Sequence, residues 1–307
     1  MREIIIGTRS SNLALWQANF VKEEIEKKYS DIKVCLKTMK TKGDKILDAP
    51  LSKIGGKGLF TKELEEAILN KEVDIAVHSL KDMPVALPKG LEIAAVTKRQ
   101  DAGDAFVSDK YESFDKLPIG AKVGTSSLRR RAQLLNKRED LKIFDLRGNV
   151  ETRLRKMREE NFDAVILAVA GLKRLGFQDK IKEIMPKDIM LPAVGQGALA
   201  IETRENDDRV KEIIAFLNDT DTKIATGAER AFLTRVEGGC QVPVGVYGEV
   251  SGDTLKLAGV IASLDGKRLY RKEVETNVEN AESAGKSLAE DLLNMGGQKI
   301  LEEIGIL

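Results

Sequence analysis

The chain has 307 residues, 42% hydrophobic and 32% charged, with 50 Lys and Arg against 49 Asp and Glu and a formal net charge of +1. That length predicts two or three domains rather than one core, and the balanced charge excludes a whole-molecule field that would gather nucleic acid or an anionic membrane. No apolar run approaches the roughly 20 residues needed to cross a bilayer, and Cys35 and Cys240 lack metal-ligand spacing, so no metal, no disulfide and a reducing, cytoplasmic setting are expected.

Residues Ile4–Ile6 read as a first strand; with one basic residue and three strong apolar ones, the opening segment does not read as a secretory signal. Ser11 to Lys28 reads as a helix, with Leu15, Ala18, Val21 and Ile25 on one face. Ile32–Met39 alternates as a strand, Lys57–Lys71 reads as a second helix, and Val73–Val77 as a strand that stops at His78-Ser79. The pattern repeats after Asp104: strand Ala121–Gly124, a helix from Ser126 to Lys137 opened by Thr125 and Ser126, strand Lys142–Leu146, helix Asn149–Glu160, then strand Ala164–Val169 and another helix. Such alternation predicts doubly wound α/β layers with largely parallel strands. After the Pro/Gly-rich Leu191–Gly197, a strand over Ala198–Glu202 is placed to return to the first domain. From about Lys223 a helix runs to Glu237-Gly238-Gly239-Cys240, followed by three β-like runs (Val242–Val250, Thr254–Ser263, Arg268–Thr276) and a helix from Ala281, which reads as a small α+β domain.

Arginines gather at strand-to-helix junctions. Arg9 lies in Gly7-Thr8-Arg9-Ser10-Ser11, Arg129 to Arg131 open the helix after Gly124-Thr125-Ser126-Ser127, Arg147 ends a strand, and Arg153 and Arg155 sit on the next helix. In an open α/β sheet the crevice lies beyond the carboxyl ends of the strands, where helix N-termini present unpaired N–H groups. Arg adds bidentate recognition of carboxylates, so the pattern suits a ligand with several carboxylates; solvated surface arginines are the plainer alternative. A nucleic-acid role for Arg129-Arg130-Arg131 lacks an extended basic face and interleaved aromatics, which are only 5% of the chain.

His78 is the sole histidine, and a satisfied residue at the edge of the core is favoured over a general base. Asp82, beside Lys81 at a strand end, has two open readings: a carboxylate that stabilises a developing cation and moves protons, or a turn aspartate before Pro84. Two glycines before Cys240 leave its thiol uncrowded, whereas Cys35 fits a structural position. Lys53-Ile54-Gly55-Gly56-Lys57-Gly58-Leu59-Phe60 is glycine-rich and basic without the spacing of a nucleotide-binding loop, and reads as a mobile loop covering a cleft, with Lys53, Lys57 and Phe60 on it.

Taken together these segments resemble the porphobilinogen deaminase (hydroxymethylbilane synthase) family. The resemblance is carried by Gly7-Thr8-Arg9-Ser10 with Leu13–Gln17, Gly55–Phe60, Val77-His78-Ser79-Leu80-Lys81-Asp82, Gly124–Arg130, Leu146-Arg147-Gly148-Asn149, Pro192–Gly197 and Glu237–Pro243, in the family's order. It implies two type II periplasmic-binding-protein-like α/β domains, 1–98 with 198–217 and 103–192, and a small α+β domain at 220–307. It implies a dipyrromethane cofactor bonded through a thioether to Cys240, and a reaction that joins four porphobilinogens head to tail, losing ammonia each time, into hydroxymethylbilane. Asp82 takes the catalytic role; Lys81, Thr125, Ser127, Arg129, Arg130 and Gly171 would hold cofactor. Arg9, Ser11, Gln17, Arg147, Arg153, Arg174 and Gln196 would hold substrate. Two cofactor rings and four added ones carry about twelve carboxylates, which accounts for so many basic partners in a near-neutral chain. The implied partner is small-molecule porphobilinogen, with no nucleic acid, no membrane and a monomeric enzyme.

Overall fold

The computed structural model describes residues 2–45, 59–237 and 242–306. The chain divides into two compact units, Met1–Arg99 with Ala198–Lys223, and Gln100–Gly197 with Ile224–Leu307.

In the first unit, β1 (Arg2–Arg9) leads into α1 (Asn12–Lys28), whose side chain cap is Ser11 and whose buried residues Ala14, Gln17, Ala18, Val21 and Ile25 follow helical spacing. Next come β2 (Ile32–Met39), a short α2 (Lys42–Lys45), α3 (Lys62–Leu69), β3 (Ile75–Ser79) and β4 (Leu91–Val96). The sheet order is β2-β1-β3-β10-β4, where β10 (Leu199–Arg204) arrives from the far end of the other unit. Strands β1, β2 and β3 are parallel, whereas β10 runs antiparallel to both β3 and β4. One face buries Ile4, Ile6, Val34, Val77 and Ile201 with Val21 and Ile25 of α1. The other buries Ala76 and Leu91 under Leu64, Ala67 and Ile68 of α3. Both faces being covered explains why β3 reads as a continuous apolar run up to His78, whereas the edge strand β2 alternates.

The second unit repeats that plan. Its sheet has the order β7-β6-β8-β5-β9, with β5 (Asp104–Val107), β6 (Lys122–Gly124), β7 (Lys142–Phe144), β8 (Ala164–Ala168) and β9 (Glu183–Ile184). Here β6, β7 and β8 are parallel and β5 is the antiparallel insert. Helices α4 (Leu128–Lys137), α5 (Val150–Glu159) and α6 (Val169–Arg174) follow the three parallel strands. Both sheets are therefore mixed rather than largely parallel, because in each the strand beside the third parallel one enters from a crossing segment and not from a right-handed crossover.

After α7 (Asp208–Ile214), α8 (Thr220–Arg235) leads into a separate antiparallel sheet of β11 (Val244–Ser251), β12 (Thr254–Ala262) and β13 (Leu269–Asn277). One face of it packs on Phe232 of α8 and on Leu288 and Leu292 of α9 (Ala281–Leu292). The terminal helix is interrupted over Leu293–Gly297, where Gly296 adopts φ 123°, before α10 (Gln298–Glu303). A side chain at Gly296 would meet the Tyr270 hydroxyl at 2.5 Å, so both backbone angle and space require glycine there.

Candidate active site

In the first unit the carboxyl ends of the parallel strands β1 and β3 place the loop of Arg9 and the turn of Asp82 on one edge of the sheet. The buried Thr8 hydroxyl donates to the Ala14 carbonyl at 3.1 Å, which ties the strand end to the helix it feeds. Ser11 caps α1 by accepting from the Ala14 N–H. From the next turn, the buried Gln17 Nε2 donates to Ser79 Oγ at 2.8 Å, joining α1 to the end of β3. The half-buried Arg9 lays its guanidinium over the Phe60 ring at 4.3 Å.

Beyond β3 the chain makes a single 3-10 turn, Leu80–Asp82, closed by the Met83 N–H on the Leu80 carbonyl at 3.1 Å. Leu80 and Met83 are buried, so the turn presents Lys81 half-buried and Asp82 exposed between two apolar anchors. The Asp82 carboxylate makes no hydrogen bond or ion pair to a described residue. His78 faces inward, with its Nε2 in hydrogen-bond contact with the buried Glu202 Oε2 at 2.9 Å.

In the second unit, the Ser127 hydroxyl caps α4 from the Arg130 N–H, and the Thr125 hydroxyl accepts from the Ser127 N–H at 3.2 Å. The first turn of that helix carries Arg129 and Arg130, both buried against Asp104 at the start of β5. Arg129 Nη1 donates to Asp104 Oδ2 and to the Leu191 carbonyl, each at 2.6 Å. Arg130 donates through Nε and Nη2 to Asp104 Oδ1, at 2.9 and 2.6 Å, and through Nη1 to the Ile166 carbonyl at 2.8 Å. Burial alone would raise the Asp104 carboxyl, but the two guanidinium charges outweigh it and hold it well below the usual carboxylate range. The two arginines differ in consequence: all three nitrogens of Arg130 are engaged, whereas Nε and Nη2 of Arg129 make no hydrogen bond to a described residue.

Arg147 stands in the loop after β7, and its Nη1 is buried with no hydrogen-bond partner among the described residues. Gly148 follows at φ 123°, where a side chain would strike Thr152, so the backbone swings sharply to let Asn149 cap α5. Arg153 Nε donates back to the Gly148 carbonyl at 2.7 Å. Gly171 is buried in α6, and Arg174 at its end is buried with Nε on Gln100 Oε1 and Nη2 on the Gly197 carbonyl. Burial pulls Arg174 down to about 10. Gln196 Nε2 donates to the carbonyls of Ala102 and Gly103 and to Asp104 Oδ1. Arg129, Arg130 and Gln196 thus converge on one carboxylate, while Arg147 stands apart in the loop before α5 and Arg153 in the first turn of that helix. Lys53, Lys57 and Cys240 lie outside the described residues.

Three buried polar residues, Glu202 in the first unit and Asp104 and Glu229 in the second, were not singled out from the sequence. Asp104 opens a four-residue apolar strand, and a charge at the head of Ala-Phe-Val is the one hint that it is buried with a partner. Glu202 sits within Leu199–Arg204 in the same way. Glu229 on α8 accepts from the Gly195 N–H at 2.7 Å and the Gly248 N–H at 2.8 Å, and so ties the Pro/Gly-rich segment to β11.

Two sheets that share one strand order, each with an antiparallel insert beside its third parallel strand, define a type II periplasmic-binding-protein-like α/β class with a small α+β C-terminal part. The family profile described as "Porphobilinogen deaminase, dipyromethane cofactor binding domain" matches residues 4–212, and that described as "Porphobilinogen deaminase, C-terminal domain" matches 223–294. A relative named porphobilinogen deaminase from Trichlorobacter lovleyi is 54% identical over 99% of this chain and 97% of its own. Relatives of the same name from Geobacter sulfurreducens and Carboxydothermus hydrogenoformans are 55% and 54% identical over 99% of this chain, and over 95% and 97% of theirs. The chain belongs to the porphobilinogen deaminase family.

Proposed function

We infer that this chain is a transferase of tetrapyrrole (haem) biosynthesis. It joins four porphobilinogen molecules head to tail into the linear hydroxymethylbilane, releasing ammonia at each addition and building on a covalent dipyrromethane. The observation that carries this reading is the agreement of both family profiles with nearly the whole chain.

The donor set fits an acidic pyrrole chain. A buried guanidinium nitrogen without a partner, as at Arg147, is costly unless an anion completes it. Arg129 adds two further N–H-bearing nitrogens beside the capped start of α4. We assign Arg129, Arg130, Lys81, Thr125, Ser127 and Gly171 to holding the dipyrromethane, with its thioether on Cys240. Within that set Arg129 offers Nε and Nη2 for direct carboxylate contact, while Arg130 shares its Asp104 anchor, with Nη1 on the Ile166 carbonyl. Substrate and growing chain fall to Arg9, Ser11, Gln17, Arg147, Arg153, Arg174 and Gln196, and Lys53, Lys57 and Phe60 to the covering loop. When bound, dipyrromethane supplies the pyrrole α-carbon to which the first substrate is joined.

Asp82 does the remaining work. Departure of ammonia leaves substrate with an electron-poor, cationic ring, and a carboxylate near the pyrrole N–H stabilises it. The same carboxylate then takes part in removing the proton displaced when the new carbon–carbon bond forms. Asp82 suits this because it is exposed on a turn with buried ends and has no partner to give up among the described residues.

The test is the intact mass of purified protein. A mass excess matching dipyrromethane, lost in Cys240→Ser, is expected; active protein with an unmodified thiol overturns the reading. A second measurement addresses Arg147. Arg147→Leu should weaken porphobilinogen use by about 10–100-fold in kcat/KM, the loss expected for one charge-assisted contact of about 1.5–3 kcal/mol. Arg155→Leu, whose guanidinium pairs on the surface with Glu159 at 2.7 Å, serves as the control and should leave kcat/KM unchanged. Equal behaviour of the two variants removes Arg147 from the binding set.

Among the described residues no helix is long and apolar enough to cross a membrane. We propose a monomer acting in the cytoplasm, on the support of the family resemblance and of two cysteines without disulfide spacing; sedimentation of the holoenzyme tests the monomer.

A further inference from the structure

His78 and Glu202 form a buried polar pair that the reaction does not use, 6% and 0% exposed. They lie on the antiparallel neighbours β3 and β10, where His78 is paired in register with Ala200. Glu202 is two residues further along the same face, so the contact is a diagonal cross-strand one. Glu65 of α3 completes the pocket from above the sheet. Burial pushes its carboxyl up against the opposing pull of the nearby Thr61 hydroxyl, and the Glu202 charge adds a smaller push. Glu65 Oε1 and Glu202 Oε1 are both buried without a hydrogen-bond partner among the described residues. An apolar trio would be cheaper in this place, since two orphaned oxygens each carry a desolvation cost. Such a pair is retained where it specifies a geometry that apolar packing leaves loose.

The geometry in question is within four residues. Strand β10 holds β3 as far as Ser79, paired with Leu199, and then accepts the Leu80 N–H on the Ala198 carbonyl at 3.0 Å. The 80–82 turn begins there. Its apolar anchors, Leu80 and Met83, cluster with Ala198 and Ala200 of the same strand end and with Val96 of β4, with Leu87 and Ile93 packed against them. Apolar packing of this kind is non-directional and leaves the register along β10 to polar contacts; a slip of β3 against β10 by one residue would turn the β3 side chains to the opposite face and displace the turn that follows. The His78–Glu202 bond is the polar lock on that register, as Gln17 is on Ser79 from the helix side.

We propose that His78 and Glu202 are positioning residues that fix the register of β3 on β10 and thereby hold the turn bearing Asp82. The proposal rests on the catalytic reading of Asp82 given above.

Two amides separate positioning from bulk. In His78→Gln the side-chain nitrogen reaches the place of Nε2 and still donates to Glu202; in His78→Asn it falls short. With holoenzyme, His78→Asn is expected to lose about 10²-fold in kcat, the scale of a misplaced catalytic group. KM should stay within about twofold and the covalent cofactor mass should be retained. Amide exchange over 80–83 should quicken about tenfold while that of β1 is unchanged, and His78→Gln should restore both kcat and protection. Glu202→Met removes the acceptor from the other strand and carries the same expectation, which decides the matter where His78→Asn does not fold. Wild-type kcat and exchange in the Asn and Met variants overturn the proposal, as does a His78→Gln variant no better than His78→Asn. Faster exchange at 80–83 with unchanged kcat, in an enzyme whose Asp82→Asn variant is also active, instead removes the reading of Asp82 and leaves the mechanical role of the pair standing.

Discussion

Asp82→Asn should retain its covalent cofactor and unfold at the wild-type midpoint, yet lose on the order of 10²–10⁴-fold in kcat. The two halves of that expectation have separate origins. Asp82 is exposed, and no described residue bonds to its carboxylate, so the amide disturbs no internal contact and its effect on stability should lie within about 0.5 kcal/mol. Catalysis, by contrast, requires the negative charge: an amide neither offsets a cationic ring nor accepts a proton. A steady-state assay beside intact mass and a thermal melt checks all three. Turnover near the wild-type rate, or loss of the cofactor mass, would falsify the assignment.

The largest stability effect is expected at Asp104. Asp104→Asn leaves the guanidiniums of Arg129 and Arg130 buried without a counter-charge, the circumstance in which breaking an ion pair costs about 3–5 kcal/mol. Urea unfolding should show that loss, and cofactor loading should fall with it, because Asp104 orients both arginines at the start of α4. Its pH dependence has a definite sign. The folded carboxyl is held below its unfolded value, so the stabilisation is complete above the unfolded pKa of about 3.9 and fades only as pH falls through the lower folded value. The gap between wild type and variant should therefore be constant from pH 8 to about 5 and narrow in stronger acid. A constant gap of under about 1 kcal/mol would show that the arginines find another partner.

How far the sequence discloses this arrangement depends on the range of each interaction. Ser11, Ser127 and Asn149 cap helices through bonds to residues three positions on, so the loops of both sheets were readable as helix starts. The Arg129–Asp104 contact spans 25 residues and the His78–Glu202 contact 124, and no local pattern shows where an acceptor will come to rest. Donors alone were visible: Arg130 reads as a ligand for an external carboxylate, and the sequence does not show that its Nε and Nη2 also meet an internal one, Asp104. Strands β4, β5 and β9 escaped notice for a related reason. β5 is four residues long and opens on a charge, and β9 has two residues, too few to display alternation.

The late strand β10 has a bearing on how the polypeptide reaches its native state. It is central in a sheet whose other members lie more than a hundred residues upstream, between β3 and β4. As the chain emerges from the ribosome, the amino-terminal hundred residues must wait with two unsatisfied strand edges until the whole intervening unit has been synthesised. Assembly of the part that carries Asp82 is thus a non-local, slow event, and its exposed edges in that interval are where self-association during biosynthesis would begin.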